Sequence, residues 1–245
     1  MSYSLILPTY NEKNHIIKLI NELVNIIKKT KKDFEIIIVD DNSIDGTAQI
    51  IKNKFLKKKF VRTFIRKNKN SLVESLNLGI KKSKYQNIIW MDADFQHPPY
   101  YVSKLIELQE KFDLVICSRF LKESKRHFDK NESEASMNDI FSIYLNKICN
   151  FFLYKDITDY TSGFILIKKK ILLNYKLQGY YGDYFINLIH YCKNKKYLTK
   201  EIPFIERKRL SGESKTSKFE LNYFVKLFFY FFSFFKIYIK NIFIK

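Results

Sequence analysis

The sequence predicts an α/β fold in which helices cover a mainly parallel β-sheet. Short apolar runs of strand length alternate along the chain with longer segments whose apolar residues recur at helical spacing. One run, 34–39, reads FEIIIV and shows no regular alternation of polar and apolar residues, which is typical of a strand buried on both faces of a parallel sheet. The chain has 245 residues, 46% of them hydrophobic, and this is enough for one large α/β domain.

The predicted elements follow one another in strand–helix order. We predict strands at 3–7, 34–39, 61–65, 87–91, 114–117, 164–167 and 198–205. We predict helices at 13–29, 48–55, 71–83, 100–111, 137–153 and 183–192. The charged segment 122–136 has no periodicity and is predicted to be a long mobile loop, either a lid or binding loop or a disordered segment.

Charge and cysteine content limit the classes of protein to be considered. A net charge of +19 attracts nucleic acid, phosphorylated substrates or anionic membranes, although most of the lysines are expected to be solvated. The three cysteines have neither metal-like nor disulfide-like spacing, so we expect reduced, buried thiols in a cytosolic compartment. The chain enters a predicted strand almost at once, so no signal peptide is expected.

The last segment, 218–245, differs from the rest of the chain in being rich in aromatic residues. Its uncharged core at 227–235 is too short to cross a bilayer, which requires roughly 20 apolar residues. On a helix, one polar stripe is formed by Asn222, Lys226, Ser233, Lys236 and Lys240. We predict an amphipathic helix in a membrane interface with its lysines towards the headgroups; the alternative is a helix packed on the protein or in a dimer. The predicted division is therefore 1–217 and 218–245.

Polar residues cluster where the predicted strands end. The sequences at these points are PTYNE at 8–12, DDNS at 40–43, DADFQH at 92–97 and SRF at 118–120. In an open parallel sheet, such ends meet in one crevice. Asp92 and Asp94 would repel each other there unless a cation lay between them. A hard divalent ion, Mg²⁺ or Mn²⁺, fits the oxygen ligands of Asp92, Asp94 and Gln96, and phosphate oxygens of a bound diphosphate would complete its shell.

Some polar residues near these strand ends have a simpler structural explanation. Asp40 and Asp45 are favoured as caps of the following turn and helix. Glu12 is either a ligand contact or a first-turn helix acid. His97 makes either a structural hydrogen bond or a metal contact. Gly163 is favoured as a backbone requirement rather than a ligand contact.

Taken together and in order, PTYNE, VDDNSIDGT, MDADFQHPP, SRF, TSGF and RLSGESK resemble the family two glycosyltransferases. More closely, they resemble its dolichyl- or polyprenyl-phosphate mannose synthase branch, over residues 3–217. MDADFQHPP with the later GESK is specific to that branch, whereas PTYNE and DDNS are shared by the wider family. The resemblance implies a GT-A nucleotide-diphospho-sugar transferase fold, which is Rossmann-like, and a donor that is most simply GDP-mannose.

The resemblance also implies roles for individual residues. Positions that match those holding the donor nucleoside are Pro8, Tyr10, Glu12, Val39 and Asp41. Asp92, Ala93 and Asp94 match positions around the donor diphosphate, with Asp94 and Gln96 as metal ligands. Arg119 matches the arginine near the transferred sugar and phosphates, so it is assigned to donor binding, and with Asp94 it is the expected catalytic pair. Arg209 and Lys215 match late basic residues that meet phosphate.

The implied reaction is metal-dependent, inverting transfer of mannose from GDP-mannose to a dolichyl or polyprenyl phosphate. The alternatives are transfer of glucose or N-acetylglucosamine from a UDP-sugar to the same class of lipid, and an inactive transferase fold that binds membrane or nucleic acid. Relatives of the UDP-sugar type commonly carry two C-terminal membrane spans, which this sequence lacks. We expect the protein to bind an anionic membrane surface, with a membrane-anchoring partner subunit as a further candidate partner, and not to bind nucleic acid. It should attach peripherally to the cytoplasmic face of the membrane through the C-terminal helix.

The sequence departs from that branch on the acceptor side. Relatives carry a tryptophan–serine segment and phosphate-binding arginines between SRF and TSGF, but residues 134–150 contain no arginine. DYTSGFI also replaces the usual DPTSGFR. We hypothesise that cations elsewhere compensate, from a set comprising Lys122, Lys125, Arg126 and Lys147.

Overall fold

The structure is a computed structural model that describes residues 1–68, 70–126, 137–208 and 221–243. The strands are β1 (Ser2–Thr9), β2 (Asp33–Asp40), β3 (Val61–Ile65), β4 (Asn87–Trp90), β5 (Leu114–Ser118), β6 (Ile165–Lys168) and β7 (Thr199–Pro203). The helices are α1 (Ile16–Lys29), α2 (Thr47–Phe55), α3 (Leu72–Lys82), α4 (Tyr101–Leu108), α5 (Met137–Phe152), α6 (Lys169–Leu173), α7 (Asp183–Asn194) and α8 (Leu221–Phe243). Every predicted strand and helix is present within a few residues of its expected bounds. The short α6 was not predicted, and most of the predicted loop at 122–136 lies outside the described residues.

The strands form one sheet in the order β3-β2-β1-β4-β6-β5-β7. All neighbouring pairs are parallel except those of β6, which is antiparallel to both β4 and β5. The predicted α/β class with a mainly parallel sheet is therefore confirmed. Because β6 runs the other way, its first residue, Ile165, pairs with Trp90 at the end of β4. The residues just before β6 are thus delivered to the edge where the parallel strands end.

Both faces of the sheet are buried, which explains the lack of polar alternation in β2. Ile36 and Ile38 face a cluster that includes residues of α1, α2 and α4, whereas Ile37 and Val39 face a cluster with residues of α3, α5 and α7. The three cysteines are buried free thiols, as expected. The helices on the two faces leave the carboxyl-end edge of the sheet to the connecting loops.

Helix α8 packs against α7 on one side and leaves apolar side chains exposed on the other. Ser233 is buried and its hydroxyl lies 3.2 Å from Nδ2 of Asn187 and 3.4 Å from Oδ2 of Asp183. The predicted polar stripe is therefore divided, because Ser233 faces the protein while Lys236 and Lys240 are exposed. Exposed large apolar residues of α8 are Val225, Phe228, Phe231, Phe232, Phe235, Ile239, Ile242 and Phe243.

The contact between α7 and α8 is close where Tyr230 of α8 meets Gly182, the N-cap residue of α7. The hydroxyl of Tyr230 occupies the space in which a side chain at Gly182 would begin, so any other residue there would require the Tyr230 side chain to move. Burial, with the nearby charge of Asp183 adding to it, raises the pKa of Tyr230. Along the described parts of the chain, α8 included, we find no helix with the length and apolarity that a membrane crossing requires.

Candidate functional site

The turn after β4 carries the two aspartates that the sequence singled out. Asp94 is almost fully buried, and its Oδ1 accepts a hydrogen bond of 3.0 Å from the backbone N–H of Gln96. The Asp92 side chain is 46% exposed. Between them, Ala93 is buried, and Phe95 follows in a left-handed conformation with φ 68°. This turn therefore presents one open and one enclosed carboxylate at the carboxyl edge of the sheet.

His97 holds this turn in place. Its Nδ1 accepts a 3.0 Å hydrogen bond from the backbone N–H of Asp92, and its ring stacks on Phe164 with centroids 5.1 Å apart. Of the two roles considered for His97, this geometry supports the structural hydrogen bond. Gly163 does not have a left-handed backbone, and an added methyl there would make only ordinary contacts, 3.5 Å from Oδ1 of Asp92.

The oxygen atoms of this turn suit a hard divalent cation. Asp92, Asp94 and Gln96 offer carboxylate and amide oxygens, which Mg²⁺ and Mn²⁺ prefer over nitrogen or sulfur. Within the described residues, no group of three or more His, Cys, Asp or Glu side chains could hold a metal. A metal at this turn would therefore need ligand oxygens to complete its shell, as the strand-end pattern predicts.

Asp40, the last residue of β2, and Asp41, which follows it, have different hydrogen-bond partners. Asp41 accepts hydrogen bonds from the Ser71 N–H (2.8 Å) and the Ser75 hydroxyl (2.5 Å), and it forms an ion pair with Arg66. Asp40 accepts from the Thr9 and Ser43 side chains within its own turn and the neighbouring strand, which supports its structural role. Arg66 was not identified from the sequence.

The remaining nucleoside-side positions lie at the ends of β1 and β2. Pro8 pairs with Val39 in the parallel register, and Val39 is 0% exposed within β2, so neither its side chain nor its backbone is open to a ligand in this structure. Glu12 is buried with its Oε2 2.9 Å from Nε2 of His15, and its carbonyl accepts from the first residues of α1. Tyr10 is half-buried beside them. Helix α1 begins at Ile16 and has no acidic residue in its first turn, so the role of Glu12 as a first-turn helix acid is wrong and the ligand contact stays a prediction.

Arg119, directly after β5, is held by a buried carboxylate. Its Nε and Nη2 donate to the two oxygens of Asp159 at 2.9 Å each, and Nη2 also donates to the Thr161 hydroxyl at 2.7 Å. Asp159 is fully buried. Burial opposes the charge on both groups, but the pairing outweighs it, because the pKa of Arg119 is raised and that of Asp159 is lowered. The guanidinium is therefore charged and fixed in orientation.

A second arginine lies beside Arg119. The Cζ atoms of Arg119 and Arg126 lie 5.6 and 5.1 Å from the ring centroid of Phe120. Arg126 donates from Nη2 to Oδ1 of Asp139 at 2.9 Å. Burial, together with the positive charge of Arg119, lowers the pKa of Arg126. Two guanidinium groups therefore lie around one ring, each paired with an aspartate (Asp159 or Asp139), and guanidinium groups are the side chains best suited to bind phosphate.

Arg126 stands out among the cations proposed to compensate for the missing arginines. Lys122, Lys125 and Lys147 are all exposed, and Lys147 lies over the ring of Tyr144 on α5. Arg209 and Lys215 lie outside the described residues. The structure therefore brings Arg126 to Arg119 at the end of β5, which β6 separates from the end of β4 that carries Asp92 and Asp94.

Sequence reasoning missed three residues that contact the site, and the sequence carries a signal for two of them, Asp159 and Arg66. Asp159 stands two residues before Thr161 at the start of TSGF, but it precedes a strand rather than following one. Arg66 directly follows β3 and so meets the residues after β2 at the same edge. Asp139 has no distinguishing pattern, because it is one polar residue on a helix.

The chain is similar in sequence to known proteins. Residues 4–175 match the sequence profile of glycosyl transferase family 2. A dolichol-phosphate mannosyltransferase of Pyrococcus furiosus is 31% identical over 221 residues, or 88% of this chain and 59% of that protein. One of Saccharomyces cerevisiae is 34% identical over 121 residues, or 49% of this chain and 45% of that protein. The chain thus spans about half the length of these curated relatives.

The fold is shared with solved glycosyltransferases. The structure of glucosyl-3-phosphoglycerate synthase from Mycobacterium tuberculosis, in complex with Mn²⁺, UDP and phosphoglyceric acid, superposes with a TM-score of 0.62. The match covers 86% of this chain and 72% of that one, at 15% sequence identity. The predicted GT-A fold is confirmed by this likeness. Since the family profile covers well over half of the sequence, the chain belongs to glycosyl transferase family 2.

Proposed function

We propose that this chain transfers mannose from GDP-mannose to a dolichyl or other polyprenyl phosphate. The proposal rests on a carboxylate turn after β4 and an arginine pair after β5, which follow strands whose carboxyl ends lie at the same edge of the sheet. Asp92 and Asp94 supply oxygen ligands, while Arg119 and Arg126 supply fixed positive charge. A donor diphosphate with a metal ion suits the first group, and an acceptor phosphate suits the second.

On the donor side, the nucleoside lies against the ends of β1 and β2. We assign that region to Pro8, Tyr10, Glu12 and Asp41, while Val39 is buried within β2. Arg66 orients the Asp41 carboxylate, which can still accept from a base or ribose because a carboxylate has about four acceptor positions.

Asp92, Asp94 and Gln96 are the residues that would hold Mg²⁺ or Mn²⁺. When bound, such an ion stabilises the negative charge that develops on a departing nucleoside diphosphate. The buried backbone of Ala93 and the hydrogen bond from Gln96 to Asp94 keep these oxygens in a fixed arrangement. Arg209 and Lys215, outside the described residues, are assigned to phosphate binding on the family motif alone.

On the acceptor side, a lipid phosphate monoester acts as its own nucleophile. Its second pKa is roughly 6, by analogy with phosphorylated side chains, so it is mostly a dianion at neutral pH. Arg119 and Arg126 orient it for in-line attack, which inverts the anomeric carbon and gives a β-linked product. The protein contributes positioning and charge stabilisation rather than a general base.

The test is transfer of radiolabelled sugar to a polyprenyl phosphate in detergent with Mn²⁺, using GDP-mannose and UDP-glucose in parallel. Mannose transfer that is lost on chelation supports the proposal. Glucose transfer instead would keep the chemistry and change the donor. Absence of transfer from both donors, with nucleotide binding intact, would contradict the proposed acceptor.

We further propose that segment 218–245 attaches the protein to an anionic bilayer through α8. Its exposed side is apolar and aromatic, Lys236 and Lys240 flank it, and α5 adds exposed Phe151 and Phe152 nearby. Such a surface buries rings among acyl chains while its lysines meet headgroups. Burial raises the pKa of Tyr230 and the positive charge of Arg119 opposes this larger effect, so this part of α8 lies near Arg119. A lipid acceptor would therefore enter beside the arginines.

We expect Phe228→Glu with Phe232→Glu to abolish flotation of the full chain with phosphatidylserine-containing vesicles. Both rings are more than half exposed, so the change should cost little stability. The matched control is Leu56→Glu, since Leu56 is 82% exposed at the end of α2. Equal flotation of the double variant and the wild type would refute attachment through α8.

A further inference from the structure

Glu201, on β7, is a buried acid that has no direct hydrogen bond to the Asp92–Asp94 turn or to the Arg119–Arg126 pair. It is 8% exposed and lies opposite Ile116 of β5 in the parallel register. Its Oε1 accepts from the Asp159 N–H at 2.9 Å. Its Oε2 accepts from both the N–H and the hydroxyl of Thr158, at 2.8 Å each. One carboxylate therefore holds two successive residues of the segment before β6.

These hydrogen bonds continue to the residues on both sides of Arg119. Because the Thr158 hydroxyl donates to Glu201, it accepts from the Ser118 hydroxyl, 2.7 Å away. The Ser118 oxygen in turn accepts from the backbone N–H of Phe120 at 3.1 Å. Every hydrogen bond in this series is donated in the direction of Glu201. The arrangement therefore requires a hydrogen-bond acceptor at position 201.

We infer that Glu201 is a positioning residue for Arg119. It fixes Asp159, which binds the guanidinium at Nε and Nη2, and it fixes Ser118 and Phe120, which flank Arg119 in the chain. Ionised Glu201 accepts all three hydrogen bonds, whereas an amide at the same position would turn an NH₂ group towards one of the donors. The inference rests on the proposed function in so far as Arg119 meets the acceptor phosphate.

The cost of burying this acid is consistent with a specific role. Burial raises the pKa of Glu201 to about 7, with the negative charge of Asp159 adding to the effect, although the three hydrogen bonds oppose it. Glu35 on β2 offers a comparison. It is equally buried and accepts from Ser4, Arg62 and the Lys84 N–H, but it lies near the start of its strand, at the opposite edge of the sheet.

The experiment compares Glu201→Gln with Glu35→Gln in the full-length chain. We expect Glu201→Gln to raise the KM for polyprenyl phosphate by about tenfold or more, as for loss of one hydrogen bond to a charged group. The KM for the nucleotide sugar should rise less than the KM for polyprenyl phosphate, because most of the donor site is formed by residues that follow β1, β2 and β4. Glu35→Gln should change neither KM. An unchanged acceptor KM in Glu201→Gln, or the same rise in Glu35→Gln, would overturn the inference.

A second readout does not depend on turnover. The Nε–H proton of Arg119 should exchange slowly with water in the wild type and at least about tenfold faster in Glu201→Gln, as measured by NMR. If the wild type transfers no sugar, the proposed function fails while this exchange rate still decides the positioning role. If Glu201→Gln does not fold, Thr158→Val removes only the hydroxyl link and should accelerate exchange less strongly. No acceleration in the folded variant would refute the inference.

Discussion

Asp94→Asn should lower sugar transfer by about 10²–10³-fold, the range typical for loss of one group that stabilises developing charge. Asp94 is buried at the end of β4 and is held by the Gln96 N–H, so asparagine can keep the shape while the charge is lost. Steady-state rates with saturating Mn²⁺ and GDP-mannose measure the effect. The variant should also bind GDP more weakly in the presence of Mn²⁺ than the wild type does.

Asp113→Asn is the matched control for this change. Asp113 precedes β5 and pairs with Lys168 and Lys170, so it lies at the edge of the sheet opposite to the crevice. We expect its transfer rate to stay close to that of the wild type. Retention of transfer within tenfold by Asp94→Asn would remove Asp94 from the proposed catalytic role.

Asp159→Ala should destabilise the protein by about 3–5 kcal/mol, because it leaves the buried charge of Arg119 without its partner. It should also abolish transfer, since the guanidinium is no longer oriented. Urea unfolding gives the stability, and Asp156→Ala is the control. Asp156 is close in sequence, but its side chain is 62% exposed and its pair with Lys193 should contribute only about 0–1 kcal/mol.

The effect of Asp159→Ala should depend on pH with a definite sign. Pairing with Arg119 lowers the pKa of Asp159 even though burial opposes it. The stabilisation is therefore complete above the ordinary aspartate pKa of about 3.9 and is lost as the pH falls through the lower folded value. The difference in unfolding free energy between wild type and variant should shrink only in acid. A difference that shrinks already near pH 6 would point to another group.

The sequence was sufficient for the fold and for locating the motifs that follow the strands. Strand-length apolar runs and helical spacing located each major element, and motifs directly after strands located Asp92, Asp94 and Arg119. The acceptor side was less accessible, because its geometry depends on residues that are distant in the chain. Asp159 reaches Arg119 only because β6 is antiparallel, and strand direction cannot be seen in a four-residue apolar run.

The exposed face of α8 and its buried Ser233 show a second limit. Helical spacing predicts one polar stripe. In the structure, Ser233 packs against α7, whereas Lys236 and Lys240 are exposed to solvent. Periodicity describes which residues share a side of a helix. It cannot tell which neighbouring element, or which solvent, that side meets.

The position of β6 also has a consequence for the order in which the protein folds during synthesis. Strand β4 pairs on one side with β1, but its other neighbour, β6, is separated from it by residues 91–164. The first four strands can therefore assemble early, with one edge of β4 still unpaired. We expect pulse-labelled hydrogen exchange during refolding to protect β1 and β2 before β5, β6 and β7. Simultaneous protection of all seven strands would contradict this order. In the expected order, the half of the sheet formed by β1–β4 exists briefly on its own, and the open edge of β4 is exposed to other nascent chains.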